Sequence, residues 1–438
     1  MLSYEAAVAY LNDHIGRGMH PGLETIAGLL DLMGNPEDSY PILHIAGTNG
    51  KTSVSRMVTF LCVAHGLTTG TFTSPHLHGV EERVSINGEQ TTREDFAQAV
   101  FDVKAFADIY EARTDRPISY FELTAALAFS WFADQAVDVG VIEVGLGGRL
   151  DATNAARATV AVLTSVGLDH SEYLGDTVEA IAREKLAIVE EGSILIAGPL
   201  PESVVAIAEE VCGDRSAELR LYGRDFRLEG ALKGVGGWQI DVEGTQGVYE
   251  EVFLPLHGRY QAINFAVAIA AVEALTNRAL DSDAVIDAAT VATNPGRTEL
   301  METQPPLILD GAHNADGFIV LAQALAEEYP TTRWVVVTAS MEDKDVAAMW
   351  GPLVPRLLGV VATQADSPRA RPAADLGSRL EGIVGDTPVT VVADPLEALE
   401  HARTLVGEGD GLLVTGSLYL VGAIRAHLTG SETTPNER

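Results

Sequence analysis

Lysine is scarce in this chain of 438 residues, which has five lysines and a formal net charge of −33 at pH 7. Such a balance excludes nucleic acid and anionic membranes as main partners, because both bind basic surfaces. Cysteine is scarce as well. Cys62 and Cys212 lack metal-site spacing, which favours buried apolar thiols and a reducing cytoplasm. Residues 1–15 lack a signal-peptide pattern, and no uncharged apolar stretch is long enough to span a bilayer.

Apolar residues are plentiful, at 47% of the chain, and can build the two or three domains that this length predicts. Continuous apolar runs at 137–144, 158–166 and 193–197 are typical of parallel strands buried on both faces. Alternation and glycines over 218–255 indicate small antiparallel hairpins. Helix-breaking residues cluster at 293–297, and strands and helices alternate again beyond them.

We therefore predict an α/β fold. A P-loop-type, mostly parallel sheet domain with a small antiparallel β subregion precedes a second, Rossmann-like α/β domain. The predicted boundaries are 1–294 for the first domain, 295–430 for the second and 431–438 for a flexible tail. The apolar pattern also predicts helices over 54–62 and 345–358.

A glycine loop (residues 47–53, GTNGKTS) follows a short apolar strand and precedes a predicted helix. Such a loop directs backbone N–H groups at an anion, and the helix dipole adds to the attraction. Lys51 would supply a charge to phosphates, and Thr52 or Ser53 would offer a hydroxyl to Mg²⁺. The match to the P-loop pattern is incomplete, because Ile45 stands where the pattern has its first glycine. An ordinary strand-to-helix turn is the alternative.

Other polar residues follow the ends of predicted parallel strands, where open sheets bind their ligands. Glu143 lies in an apolar strand, where an unpaired carboxylate is costly and an ion pair or Mg²⁺ would stabilise it. Taken singly, His170 suits a loop histidine, Asp310 a turn residue and Lys185 a solvated helix lysine. Asn264 is either a core amide or a ligand contact. If both sheets are parallel, these residues face one crevice between the domains.

Assembled in order, these segments resemble the folylpolyglutamate synthase/dihydrofolate synthase family of the Mur ligase superfamily. The most specific segment is EVGLGGRLDATN at 143–154, and LDHSEYLGDT at 168–177 and LHGRYQAIN at 256–264 follow in family order. The resemblance implies an ATP-dependent ligase that activates the carboxylate of a folate or dihydropteroate as an acyl phosphate, which the amine of L-glutamate attacks. Because an acyl phosphate needs shelter from water, we expect closure about a hinge at 294–296. We also expect a cytoplasmic monomer.

The resemblance implies roles for individual residues. The expected ATP-binding residues are Thr48, Asn49, Gly50, Lys51, Thr52, Ser53, Asn264, Arg297 and Asp310. The expected Mg²⁺ ligands are Ser74, Glu143 and His170. The expected catalytic residues are Lys51, Lys185 and His313. The pterin is expected near Ser119, Phe121, Leu150, Asp151 and Ala152. Lys185 matches a lysine that this superfamily often carbamylates, which replaces its cation by an anion able to support Mg²⁺.

Three points stay open. A different Mur-type ligase would join an amino acid to another carboxylate, although EVGLGGRLDATN fits the folate branch. A nucleotide-binding switch without ligase activity would need Asp310 and His313 to be incidental. Thr52 stands where many family members have glycine, so either Thr52 or Ser53 would meet Mg²⁺.

Overall fold

The structure is a computed structural model that describes residues 2–17 and 22–431. Apart from Ser431, the predicted flexible tail lies outside these residues. The helices are α1 (Tyr4–Asn12), α2 (Glu24–Met33), α3 (Lys51–Ala64), α4 (Arg93–Thr114), α5 (Tyr120–Asp134), α6 (Ser171–Leu174), α7 (Val178–Leu186), α8 (Glu202–Asp214), α9 (Arg259–Thr276), α10 (Ser282–Thr290), α11 (Ala315–Glu328), α12 (Val346–Trp350), α13 (Ala373–Glu381), α14 (Pro395–Leu405) and α15 (Leu418–Thr429). The strands are β1 (Ile42–Ala46), β2 (Thr69–Phe72), β3 (Val84–Ile86), β4 (Glu89–Gln90), β5 (Val139–Glu143), β6 (Val160–Leu163), β7 (Ile194–Ala197), β8 (Glu218–Leu221), β9 (Arg227–Gly234), β10 (Gly237–Glu243), β11 (Val248–Leu254), β12 (Glu299–Thr303), β13 (Pro306–Leu309), β14 (Trp334–Thr338), β15 (Leu357–Ala362), β16 (Val389–Val391) and β17 (Gly411–Thr415).

The first sheet has eight strands in the order β4-β3-β2-β5-β1-β6-β7-β8. Every pair from β2 to β8 is parallel, and β3 and β4 add an antiparallel edge. Helices α3 and α9 cover one face, and α4, α5, α7 and α8 cover the other. All residues of β1 and β5 are therefore buried, as the continuous apolar runs predict.

The small antiparallel sheet consists of β9, β10 and β11, which pack against α9. The prediction of hairpins throughout 218–255 is wrong at its start, because β8 joins the first sheet parallel to β7. As an edge strand, β8 is only partly covered, so Leu219 and Leu221 alternate with Glu218 and Arg220. That alternation is the same as the pattern of an antiparallel hairpin strand.

The second sheet has the order β12-β13-β17-β14-β15-β16, in which only the β12–β13 pair is antiparallel. Helices α11 to α15 cover its two faces. The prediction of one helix over 345–358 is wrong, since α12 ends at Trp350 and β15 begins at Leu357. Pro352 and Pro355 account for the break, because proline removes a helical hydrogen bond and clashes with the preceding turn.

The two sheets are joined by the connection between α10 and β12, where both the predicted boundary at 294/295 and the predicted hinge at 294–296 fall. The boundary and the hinge stay predictions. Arg56 of α3 binds this connection, donating from Nε to the Thr293 carbonyl at 2.7 Å. In the part of the chain that the structure describes, no helix has the length and apolar character needed to cross a membrane.

Gly422 of α15 provides a test of how closely the second sheet's helices meet the first domain. A Cβ atom at this position would lie 2.3 Å from the backbone oxygen of Leu77. We expect Gly422→Ala to destabilise the fold by about 1–3 kcal/mol, because backbone cannot move aside cheaply. Gly213→Ala in α8 is the matched control, since nothing lies within 4 Å of its Cβ position and alanine is the better helix former. Equal thermal midpoints for the two variants would contradict this packing.

Candidate active site

The glycine loop joins β1 to α3, and the helix begins within this loop, earlier than the sequence indicates. Helix α3 begins at Lys51 instead of the predicted residue 54, because Gly50 takes φ +88° and ends the loop there. A Cβ at Gly47 would lie 1.9 Å from Thr164 Oγ1, so glycine is required for that approach. The free N–H groups of the first helical turn therefore lie in the loop, where they suit an anion.

Two lysines reach the carbonyl groups of this loop. Lys51 Nζ donates to the carbonyls of Gly47 at 3.0 Å and Thr48 at 3.4 Å, and Lys185 Nζ donates to Gly47 at 3.0 Å. Burial lowers the pKa of Lys51. Burial and the nearby Lys51 charge lower the pKa of Lys185 to about 7. The interpretation of Lys185 as a solvated lysine is therefore wrong, because this side chain is buried and faces the glycine loop.

Glu143 is buried at the end of β5, beside the loop. Its Oε1 accepts from Thr52 Oγ1 at 2.9 Å, and its Oε2 accepts from the backbone N of Ser74 at 3.4 Å. Burial raises the pKa of this carboxyl to about 7, although the charge of Lys51 opposes that rise. A carboxylate beside two hydroxyl-bearing residues offers hard oxygen ligands that fit Mg²⁺, whose charge would keep the carboxylate ionised.

His170 directly precedes α6, and its Nε2 lies 4.0 Å from Asp169 Oδ2. Burial lowers the pKa of its imidazole to about 4. The titratable side chains that act on the imidazole are those of Asp169, Lys344, His313 and Lys51. Within residues 2–17 and 22–431, no group of three or more His, Cys, Asp or Glu side chains is placed to hold a metal ion. The structure brings Thr52 and Ser74 to Glu143, and the metal-ligating roles of Ser74, Glu143 and His170 stay predictions.

Asp310 follows β13 and is buried in the turn that faces the glycine loop. Its carboxylate accepts from Thr298 N at 2.7 Å, Thr298 Oγ1 at 3.0 Å and Ala312 N at 2.8 Å. Burial raises the pKa of Asp310 above its usual value, although the charge of the neighbouring Arg297 opposes that rise. Arg297 also favours the ionised form of Glu143, so its charge acts on both sides of the crevice.

Asn264 of α9 is half-buried and hydrogen-bonded, which leaves open whether it is a core amide or a ligand contact. Its Nδ2 donates to Gln261 Oε1 at 3.1 Å inside the helix. Its Oδ1 would lie 3.1 Å from a Cβ at Gly50, which places the amide directly against the glycine loop. Contact with a nucleotide stays a prediction.

The residues expected near the pterin lie on two adjoining segments. Ser119 is the N-cap of α5, where its Oγ donates to Glu122 Oε2 at 2.6 Å in a capping box. The centroid of the Phe121 ring lies 5.9 Å from that of Phe72, with the rings tilted by 47°, and a Cβ at Gly145 would clash with the Phe121 ring. Helix capping accounts for Ser119 without a substrate, so its contact with the pterin stays a prediction.

The second segment is the turn that carries Leu150, Asp151 and Ala152. Leu150 is exposed, and Asp151 and Ala152 are buried. The Asp151 carboxylate accepts from Leu146 N at 2.8 Å and from Thr153 N at 3.0 Å, and it also binds the Thr153 hydroxyl. These bonds give Asp151 a role in holding the turn, while Leu150 offers the free apolar surface.

The sequence interpretation gave no role to three functional candidates that lie between the domains, Asp169, Asn314 and Lys344. Asn314 Nδ2 donates to Asp169 Oδ2 at 2.9 Å and to Asn49 Oδ1 at 3.1 Å. Lys344 Nζ donates to Asp169 Oδ1 at 2.6 Å, and His313 Nε2 lies 3.8 Å from Asp169 Oδ2. Two signals were available, because Lys344 is one of five lysines and Asp169 directly precedes an expected metal ligand.

Comparison with known proteins agrees with this two-domain crevice. The Mur ligase middle domain matches residues 45–272, and the Mur ligase glutamate ligase domain matches residues 296–418. The dihydrofolate synthase/folylpolyglutamate synthase of Mycobacterium tuberculosis is 37% identical over 437 residues, covering 92% of this chain and 89% of that protein. The chain belongs to this synthase family. It is therefore an ATP-dependent ligase of the Mur type.

Solved structures of similar synthases show the same fold. Mycobacterium tuberculosis folylpolyglutamate synthase, complexed with ADP and AMPPCP, has a TM-score of 0.93 at 35% identity and covers 98% of this ligase and 100% of that chain. Escherichia coli FolC, in complex with DHPP and ADP, has a TM-score of 0.86 at 27% identity and covers 98% of both chains. The mostly parallel first sheet and the second α/β domain are confirmed as the fold of this family.

Which hydroxyl would meet Mg²⁺ is testable, because of the two candidates it is Thr52, and not Ser53, whose hydroxyl has a described hydrogen bond to Glu143. We expect Thr52→Val to raise the Mg²⁺ concentration for half-maximal turnover by about tenfold, since a hydrogen bond to a charged group is worth about 1.5–3 kcal/mol. Ser53→Ala removes the neighbouring buried hydroxyl and should shift the requirement less. A larger shift for Ser53→Ala would assign the contact to Ser53 instead. Both measurements use a Mg²⁺ titration at saturating ATP.

Proposed function

We propose that this ligase adds L-glutamate to the terminal carboxylate of a folate, and also to dihydropteroate, with ATP as the energy source. The observation that carries the proposal is the convergence of the glycine loop, Glu143 and the turn at 310–314 on one crevice between two domains. The bifunctional name of its Mycobacterium tuberculosis relative and the DHPP complex of the Escherichia coli protein support both acceptors.

The phosphate end of the crevice is built to neutralise charge. The N–H groups of the glycine loop and the Lys51 ammonium would hold the ATP phosphates, with Arg297 approaching from the second domain. Thr52, Ser74 and Glu143 would hold Mg²⁺, which supplies charge neutralisation to the transferring phosphoryl group. Phosphoryl transfer needs positioning and neutralisation more than covalent participation by the protein.

The amide-forming end carries a base. The folate carboxylate takes the γ-phosphoryl group of ATP, and the glutamate amine then attacks the acyl carbon and expels phosphate. His313 Nδ1 donates to the Gly311 carbonyl at 2.7 Å, which leaves Nε2 with its lone pair. Burial lowers the pKa of this imidazole, so it is neutral at pH 7.5 and able to accept the proton that the amine must lose.

Lys185 is suited to carbamylation. Its pKa of about 7 gives a large fraction of neutral amine at physiological pH, and only the neutral amine attacks CO₂. The new N–C bond forms as the nitrogen loses one proton, and the product is an anion. A carbamate anion at this position would compensate the positive charge of the nearby Lys51, and it would also help to hold Mg²⁺.

All the named groups belong to one chain, so a monomer suffices for the reaction. We place the ligase in the cytoplasm, which agrees with the two buried, unpaired cysteines.

The direct test is an assay of glutamate-dependent ADP release with dihydropteroate and tetrahydrofolate in parallel. We expect turnover with both acceptors. Lys51→Ala, prepared in the same way, should lose turnover because the phosphates lose a main positive partner. Turnover confined to a cell-wall precursor would instead indicate another Mur-type ligase. ADP release that ignores every acceptor would indicate a nucleotide-binding switch.

Carbamylation predicts a chemical rescue. Lys185→Ala should cripple turnover, and a small carboxylic acid added in solution should restore part of it by supplying the missing anion. Native mass spectrometry of the wild type in bicarbonate at pH 8 should show one added CO₂, which disappears as acidification protonates the amine. Lys104→Ala is the control, because Lys104 lies on α4 in an exposed pair with Asp108. Wild-type protein without added mass, together with no rescue, would exclude the modification.

A further inference from the structure

The loop that follows β6 braces the glycine loop from the side. Thr48 Oγ1 donates to the Gly167 carbonyl at 3.2 Å and accepts from Gly167 N at 3.0 Å. Asn49 N donates to Ser165 Oγ at 3.0 Å, and Thr164 Oγ1 donates to the Asn49 carbonyl at 2.7 Å. Any displacement of this loop therefore moves the glycine loop with it.

Asp169, in the same loop after β6, forms hydrogen bonds with residues of the second domain. Its Oδ1 holds Lys344 Nζ at 2.6 Å, and its Oδ2 holds Asn314 Nδ2 at 2.9 Å. The side chains of Asp169 and Lys344 are each 9% exposed, so this is a largely desolvated ion pair.

The turn that carries Asn314 also carries His313, whose Nε2 lies 3.8 Å from Asp169 Oδ2. The Asn314 side chain in addition exchanges hydrogen bonds with the Asn49 side chain of the glycine loop, at 3.1 and 3.2 Å. The Asp169 carboxylate therefore joins three segments: the loop that follows β6, the turn at 310–314 and the segment that carries Lys344.

We propose that Asp169 is a positioning residue that fixes the second domain on the glycine loop through Lys344 and Asn314, and so sets where His313 meets the reacting acyl phosphate. The inference rests on the proposed function, because it assigns no chemistry to Asp169 itself. It adds to that function the contact that fixes the position of the glycine loop, which would bind the phosphates, relative to His313, which would accept the proton of the amine.

The negative charge of Asp169 allows an experiment to distinguish a positioning role from a purely electrostatic role. Asp169 is an anion in a crevice that must bind the polyanion ATP, so its carboxylate repels the substrate. Asp169→Asn removes that repulsion, and an electrostatic role alone predicts tighter ATP binding with no loss of turnover. A positioning role predicts a fall in kcat, since a misplacement of ~1 Å between reacting groups costs up to about 100-fold.

The experiment measures kcat and the KM of ATP for Asp169→Asn, Lys344→Met and the double variant. We expect Asp169→Asn to lower kcat about 10- to 100-fold with the KM of ATP unchanged or lower. The double variant should lose less than the product of the two single losses, because both substitutions break one ion pair. Arg183→Gln is the control, since it breaks a 3.0 Å pair with Glu210 in which both side chains are more than half exposed.

Hydrogen exchange gives a second measurement that does not need turnover. In Asp169→Asn, the amides at the start of α11 should exchange faster, and those of α9 should not change. A kcat within twofold of the wild type, or unchanged exchange at α11, would overturn the proposal. A general loss of protection with a lowered thermal midpoint would show a merely structural role and would overturn it as well. A wild type without glutamate-dependent turnover would contradict the proposed function, and exchange alone would then decide the role of Asp169.

Discussion

The carboxylate of Glu143 lies at the buried end of a strand that pairs in register with the strand leading into the glycine loop. A buried carboxylate without partners costs several kcal/mol, so the surrounding chain must supply donors or cations. Lys51, Thr52 and the backbone of Ser74 do so, and Lys51 and Thr52 are the first two residues of α3. The positive φ of Gly50 lets α3 begin at the next residue, and Gly47 lacks the side chain that would clash with Thr164.

Charge is distributed unevenly over this ligase. The whole chain has a net charge of −33, yet Lys51, Lys185 and Arg297 act together on one crevice. Burial lowers the pKa of Lys185 and the charge of Lys51 lowers it further, and an incoming polyanion would relieve the repulsion between these two amines. The acidic surface and the cationic crevice are thus compatible, because the crevice is shielded from the surface by protein of low dielectric.

Local patterns were enough to predict the buried parallel strands and the strand ends where Glu143 and Asp310 lie. They were not enough for β8, whose alternation reflects an edge position, or for α12, where Pro352 and Pro355 should have outweighed the apolar pattern. The burial of Lys185 could not be predicted, because one turn of helix sequence does not show what covers it. The pairing of Asp169 with Lys344 depends on how the two domains meet, which no single segment specifies.

The scarcity of lysine has a chemical consequence for the surface. Lys51, Lys185 and Lys344 are withdrawn into the crevice, which leaves Lys104 and Lys233 as the lysine amines on the described surface. Reagents or enzymes that acylate surface lysines therefore find few attachment points on this ligase. Acylation at the buried Lys185, or at Lys344 with its 9% exposed side chain, would mean that the crevice had opened, so covalent labelling of these two lysines reports on the contact between the two domains.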